Sequence, residues 1–312
     1  MSTKMRLPIV VGVDGTDRSM RALQFAVQDA QRLGCGLRLV HATPETVPMA
    51  PMLPLISVET LDQVSHRILN EAAQMACDLA AGEIQVEKVV RSGSRVHILD
   101  EAGEDARLIV LGHRDRSLLG RVFTSSTTTG VAARSHCPVV CVPTTWEPDS
   151  HHGRVVVGVD DPAQSRDALG VAFAAAAERK AGLTVLHAWK LESPYDDIIF
   201  SRVDIEEWKE SVTETVTESL RDWREAYPEV EVEIDVRFHY PAPALVGATE
   251  GADLLVIGRH GRRVPVGIHL GSVARTLIRE ARCPVEIAPP GSAQELPPTD
   301  RLMKADRVSP QS

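Results

Sequence analysis

Val11-Gly12-Val13-Asp14 closes a short apolar run at 9–13 and returns verbatim 146 residues later as Val157-Gly158-Val159-Asp160. The same spacing relates His41-Ala42 to His187-Ala188, Gly112 to Gly258, and Cys137-Pro138-Val139 to Cys283-Pro284-Val285. Four anchors at one offset read as two copies of a single unit. The join falls near 144–153, where Pro143, Pro148 and His151-His152-Gly153 interrupt the apolar periodicity. The expected domains are therefore 1–146 and 147–289. Residues 290–312, with four prolines and few apolar groups, are expected to form a disordered tail.

Working outward from each Val-Gly-Val-Asp, short Val/Ile/Leu runs alternate with segments of helical period, the signature of βαβ units. Strands are predicted at 9–13, 37–41, 84–90, 108–111 and 139–142, and again at 155–159, 183–187, 232–238, 254–257 and 285–288. Helices are predicted at 18–33, 59–81, 166–181 and 204–226. The strands are near-continuously apolar, so both sheet faces should be covered. The fold class expected is α/β: two tandem doubly wound domains, each with a five-stranded parallel sheet. Pro44, Pro48, Pro51 and Pro54 exclude helix from 43–55, which is expected to be a loop or flap.

The 312 residues are 43% hydrophobic and 25% charged, ordinary values for a globular chain. A formal charge of −9 argues against general affinity for nucleic acid or anionic lipid. No apolar run approaches the roughly 18–20 residues of a membrane span, and 7–13 is too short for a signal-peptide core. A cytoplasmic location is expected. The five cysteines contain no CxxC pair, so neither zinc nor disulfides are indicated.

The densest functional signal comes after the fourth strand of the second copy. Gly258-Arg259-His260-Gly261 is succeeded, after nine residues, by Gly271-Ser272 at the start of a predicted helix: G-x2-G-x9-G-S. Glycines with positive φ would let backbone N–H groups approach a phosphate chain closely, and the helix start adds free N–H groups and the positive end of its dipole. Arg259, His260, Arg262, Arg263 and Arg275 supply local positive charge. Asp160 ends the first strand of this copy, where the winding reverses and a ligand is expected. Its carboxylate could accept hydrogen bonds from ribose hydroxyls or an adenine amino group. Neither a Walker A sequence nor a GxGxxG after the first strand is present.

Together these residues resemble the universal stress proteins of the ATP-binding kind, here as a tandem pair over about 7–289. The resemblance implies a fold like that of the adenine-nucleotide alpha-hydrolases, a bound ATP with or without Mg, homodimerisation and a role in stress physiology through a protein partner. By position, Asp160 and the backbone of Ala188 would address the adenosine. Ile257, Gly258 and His260 would line the site, while Gly261, Gly271, Ser272 and Val273 would hold the phosphates. The first-copy counterparts are Asp14, Ala42, Leu111, Gly112, Ser125 and Ser126. That copy departs from the pattern, because Asp115 and Ser125 replace Gly261 and Gly271. A negative charge and added β-carbons disfavour phosphates there.

Plainer readings stand beside these. His41 and His187 are expected to be backbone-satisfied rather than catalytic, His151-His152 solvated, and Cys137 and Cys141 core residues sharing one face of a strand. Trp208 and Trp223, with Val212, Val216 and Leu220, form an apolar stripe expected to be core or interface. Three function classes remain: a nucleotide-switched regulatory protein, a slow ATPase or adenylate-handling enzyme, and a nucleotide-free scaffold using 284–288 as a dimer edge. No catalytic constellation stands out for the second.

Overall fold

The computed structural model describes residues 7–44, 58–113, 127–161, 164–189, 205–259 and 270–293. Most of the loop expected at 43–55 and of the tail expected from 290 lies outside these residues. The chain divides into two compact units, Met1–Ser150 with Val264–Ile287, and His151–Arg263 with Ala288–Ser312.

The strands are β1 (Ile9–Gly12), β2 (Leu37–Thr43), β3 (Val86–Ser92), β4 (Leu108–His113), β5 (Val139–Pro143), β6 (Arg154–Val159), β7 (Gly182–Ala188), β8 (Val232–Arg237), β9 (Leu254–Gly258) and β10 (Val285–Ala288). The helices are α1 (Asp17–Leu33), α2 (Val58–Leu79), α3 (Arg95–Gly103), α4 (Thr127–Arg134), α5 (Arg166–Arg179), α6 (Ile205–Ser219), α7 (Arg221–Ala226), α8 (Pro241–Ala248) and α9 (Ser272–Glu280).

In the first unit the strands run in the order β3-β2-β1-β4-β5, and each neighbouring pair is parallel. Ile9 of β1 is in register with Leu37 on one side and Leu108 on the other, so the winding reverses at β1. Ile9, Val10 and Val11 have no exposed surface, as expected for a strand covered on both faces. β1 turns directly into α1 because Thr16 caps the helix, its hydroxyl accepting the Ser19 amide. The helix stops at Gly34, whose left-handed backbone (φ 60°) returns its N–H to the last turn.

The second unit repeats the plan as β8-β7-β6-β9, again with every pair parallel. Val155 of β6 faces Leu183 and Leu254, the counterparts of the partners of Ile9. Phe173 of α5 is fully buried, with ring centroids 5.9 Å from Trp223 and 5.7 Å from Tyr227.

The fifth strand of the second repeat, β10, forms where expected and pairs antiparallel with β5. Three expectations are corrected. The helix expected unbroken over 204–226 divides at Leu220, so Trp223 joins the Phe173 core while Trp208 packs elsewhere. The chain beyond 290 is still held at 291–293, where the Asp167 carboxylate accepts the amides of Gly291 (3.1 Å) and Ala293 (2.7 Å). Cys137 precedes β5, so it does not share a strand face with Cys141. Both thiols are buried, and burial pushes both up, Cys141 to about 12, which leaves them unreactive at neutral pH.

Candidate functional site

The carboxyl ends of β6, β7 and β9 lie side by side in the second unit. Gly158 is in register with Ile257, and Val159 with His187. Asp160 comes directly after β6, Ala188 closes β7, and Gly258 closes β9, so these residues and Ile257 come to one edge of the sheet. His187 fixes that edge. Its Nδ1 lies 3.0 Å from the Val159 carbonyl, which can only accept, so Nδ1 carries the proton and ties β7 to the last residue of β6. His41 does the same for Val13 in the first unit, at 2.7 Å. Both histidines position strands, in keeping with the plainer reading.

Asp160 is exposed, and its carboxylate has no hydrogen bond or ion pair among the described residues. Asp14, at the same place in the first unit, is turned onto its own chain. It accepts the Thr16 amide at 3.1 Å and the Thr16 hydroxyl at 2.5 Å, and Arg18 lies 3.7 Å away. Burial pushes the Asp14 carboxyl up, but the Thr16 and Ser19 hydrogen bonds and the Arg18 charge outweigh it, leaving the group below its usual range. The tetrapeptides are identical, so the difference arises from the residues C-terminal to them. An Asx turn needs the amide two residues on, which Thr16 supplies and Pro162 cannot.

Gly112, at the end of β4, is required by packing, since a β-carbon there would lie 2.3 Å from the Arg18 carbonyl oxygen. The Gly112 carbonyl in turn accepts the Thr128 hydroxyl at 3.3 Å, fastening α4 to β4. Leu111 is buried and Ala42 half-buried. Thus Asp14, Ala42, Leu111 and Gly112 also gather at a strand edge, where the Asp14 carboxylate and the Gly112 carbonyl are already engaged internally. Ser125 and Ser126 lie outside the described residues.

Gly271 behaves differently from Gly112. Its φ of −60° is open to any residue, contrary to the positive φ expected, and a β-carbon there would meet nothing within 4 Å. It caps α9 without a side-chain hydrogen bond, and no acidic residue occupies the first turn. Gly271 and Ser272 are exposed and Val273 half-buried, and the first amides of a helix have no partner within the helix itself. By contrast, α1 is closed by the Thr16 side chain and carries Asp17 in its first turn. His260 and Gly261 lie outside the described residues. Among the described residues no group of three or more His, Cys, Asp or Glu is arranged to hold a metal ion.

The profile of the Universal stress protein family matches residues 5–143 and again 151–289. The chain belongs to the universal stress protein family. Universal stress protein Rv1996 of Mycobacterium tuberculosis (strain H37Rv) is 30% identical over 301 residues, covering 90% of this chain and 95% of that protein. Among solved structures, a universal stress protein from Archaeoglobus fulgidus covers 91% of this chain and 98% of its own, with a TM-score of 0.65 at 20% identity. A universal stress protein in complex with cAMP covers 44% of this chain at 26% identity, with a TM-score of 0.36. This universal stress protein is thus a tandem one, its two matched segments coinciding with the two sequence copies.

Two features escaped the sequence reading. Trp189 and Phe238, just beyond β7 and β8, lie with Trp208 in one aromatic cluster, with ring centroids 5.6–6.3 Å apart. At the equivalent positions of the first unit, Thr43 and Ser92 share a hydroxyl hydrogen bond of 2.7 Å. The second feature is the clamp on the chain leaving each last strand. Asp167 of α5 accepts amides at 291 and 293, while Arg21, its counterpart on α1, donates to the Trp146 carbonyl. Comparing the two copies position by position would have shown the first, as Thr43 and Ser92 exchanged for Trp189 and Phe238.

Proposed function

We infer that this universal stress protein is an ATP-binding regulator in which the second repeat carries the nucleotide and occupancy alters the choice of a protein partner. The single observation that carries the reading is the exposed Asp160 carboxylate, unpartnered among the described residues, at the strand edge where the winding reverses. It is free to accept hydrogen bonds from the ribose or the adenine amino group, and Ala188, Ile257 and Gly258 flank it. The phosphates are assigned to the glycine loop with His260 and Gly261, and to Gly271, Ser272 and Val273, because a helix start with no acidic residue in its first turn suits an anion. Any Mg would be bound chiefly by the phosphates themselves. The first repeat is the weaker site, because Asp14 is occupied and Asp115 opposes phosphate. Location in the cytoplasm and a homodimeric state belong to the same reading.

Gly271→Asp tests the reading, since the position is sterically open in the protein itself and the substitution places a carboxylate at the helix start. Titration calorimetry with ATP is expected to show affinity reduced by about 100-fold or more, with the circular dichroism spectrum unchanged. Undiminished affinity would remove this helix start from the site.

A further inference from the structure

β5 and β10 meet on equivalent residues. Val140 faces Glu286, flanked by Val139 facing Ile287 and Cys141 facing Val285. Val140 and Glu286 are 146 residues apart, the repeat offset. By the same offset Ile287 is the counterpart of Cys141, and Val285 of Val139. The two strands therefore pair about a local two-fold axis through Val140 and Glu286. That arrangement is self-complementary, the kind by which two identical strand edges could also pair. In this register two β5 strands would set Val140 against Val140. Two β10 strands would set Glu286 against Glu286.

The second pairing is unfavourable. Glu286 is only 6% exposed, and directly opposed residues of an antiparallel pair have β-carbons about 4.5–5.5 Å apart. Two carboxyl groups held there would either repel as anions or require one to be protonated at neutral pH, and either costs free energy. We propose that Glu286 is a pairing-specificity residue that lets β10 take the β5 of its own chain and excludes the β10 of a second copy. The edge expected at 284–288 to join two chains is thereby committed internally, and a homodimer would use another surface.

The test uses the full chain in four forms: wild type, Val140→Glu, Glu286→Val, and the double variant. Val140→Glu recreates within one molecule the pair of carboxyls that two β10 strands would bring together. It is expected to lower the melting temperature by about 5–10 °C. Adding Glu286→Val leaves one carboxyl on the axis, on the opposite strand, and is expected to recover at least half of that loss. A double variant no more stable than Val140→Glu alone would overturn the proposal. If Val140→Glu does not fold, the double variant decides: a folded protein supports the assignment, and an unfolded one contradicts it.

Discussion

Asp14 and Asp160 stand in identical tetrapeptides and do different work. Asp14 is bound to Thr16 and stabilises the entry to α1. With that group more than half exposed, Asp14→Ala is expected to cost about 0.5–1 kcal/mol in chemical denaturation. The pH dependence has a definite sign. Because the folded-state value lies below the ordinary 3.8, the contribution is complete above that value and is lost as the pH falls through the folded-state value. Melting curves of wild type and Asp14→Asn should therefore converge in acid. A constant gap between them down to the lowest pH would show that the carboxylate is not the stabilising form. The sequence already contained the distinction, since proline two residues after Asp160 removes the amide an Asx turn needs. Reading the tetrapeptide alone concealed it.

At the level of elements, the strand ends and the two helices that come after β1 and β6 were legible from periodicity, because the inner strands β1, β4, β6 and β9 are largely buried, whereas the outer strands β3 and β8 are not. What was not legible depended on tertiary partners. The predicted helix over 204–226 had unbroken periodicity, yet Trp223 is drawn to Phe173 and Trp208 to Trp189 and Phe238, and the division comes at Leu220. The pairing of β10 with β5 likewise depends on a tertiary partner, which local sequence does not encode. The repeat does expose one weak point. α1 ends on Gly34 at φ 60°, whereas its counterpart at the end of α5, Lys180, adopts φ 52° with a β-carbon. Lys180→Gly is expected to stabilise the protein by about 0.5–1 kcal/mol, less than the full left-handed penalty because glycine also loses more backbone freedom on folding. A lowered denaturation midpoint would mean that the lysine side chain makes a compensating contribution.

For the whole molecule, duplication has produced two units with one plan and unequal sites. The first unit satisfies its strand edge from within, through Asp14, Thr16, Thr128 and the close approach of Gly112 to Arg18. The second repeat leaves Asp160 unengaged among the described residues, and its helix α9 has no acidic residue in the first turn. The family, the repeat and the residues of the strand edges could be read from the sequence, whereas the engagement of the first edge required coordinates. Calorimetric titration of the full chain with ATP, set against Asp160→Ala and Asp14→Ala, tests this asymmetry most directly. The account predicts about one ATP per chain, an affinity reduced about 10- to 100-fold by Asp160→Ala, and little change with Asp14→Ala. Two equivalent sites, or greater sensitivity to Asp14→Ala than to Asp160→Ala, would contradict it.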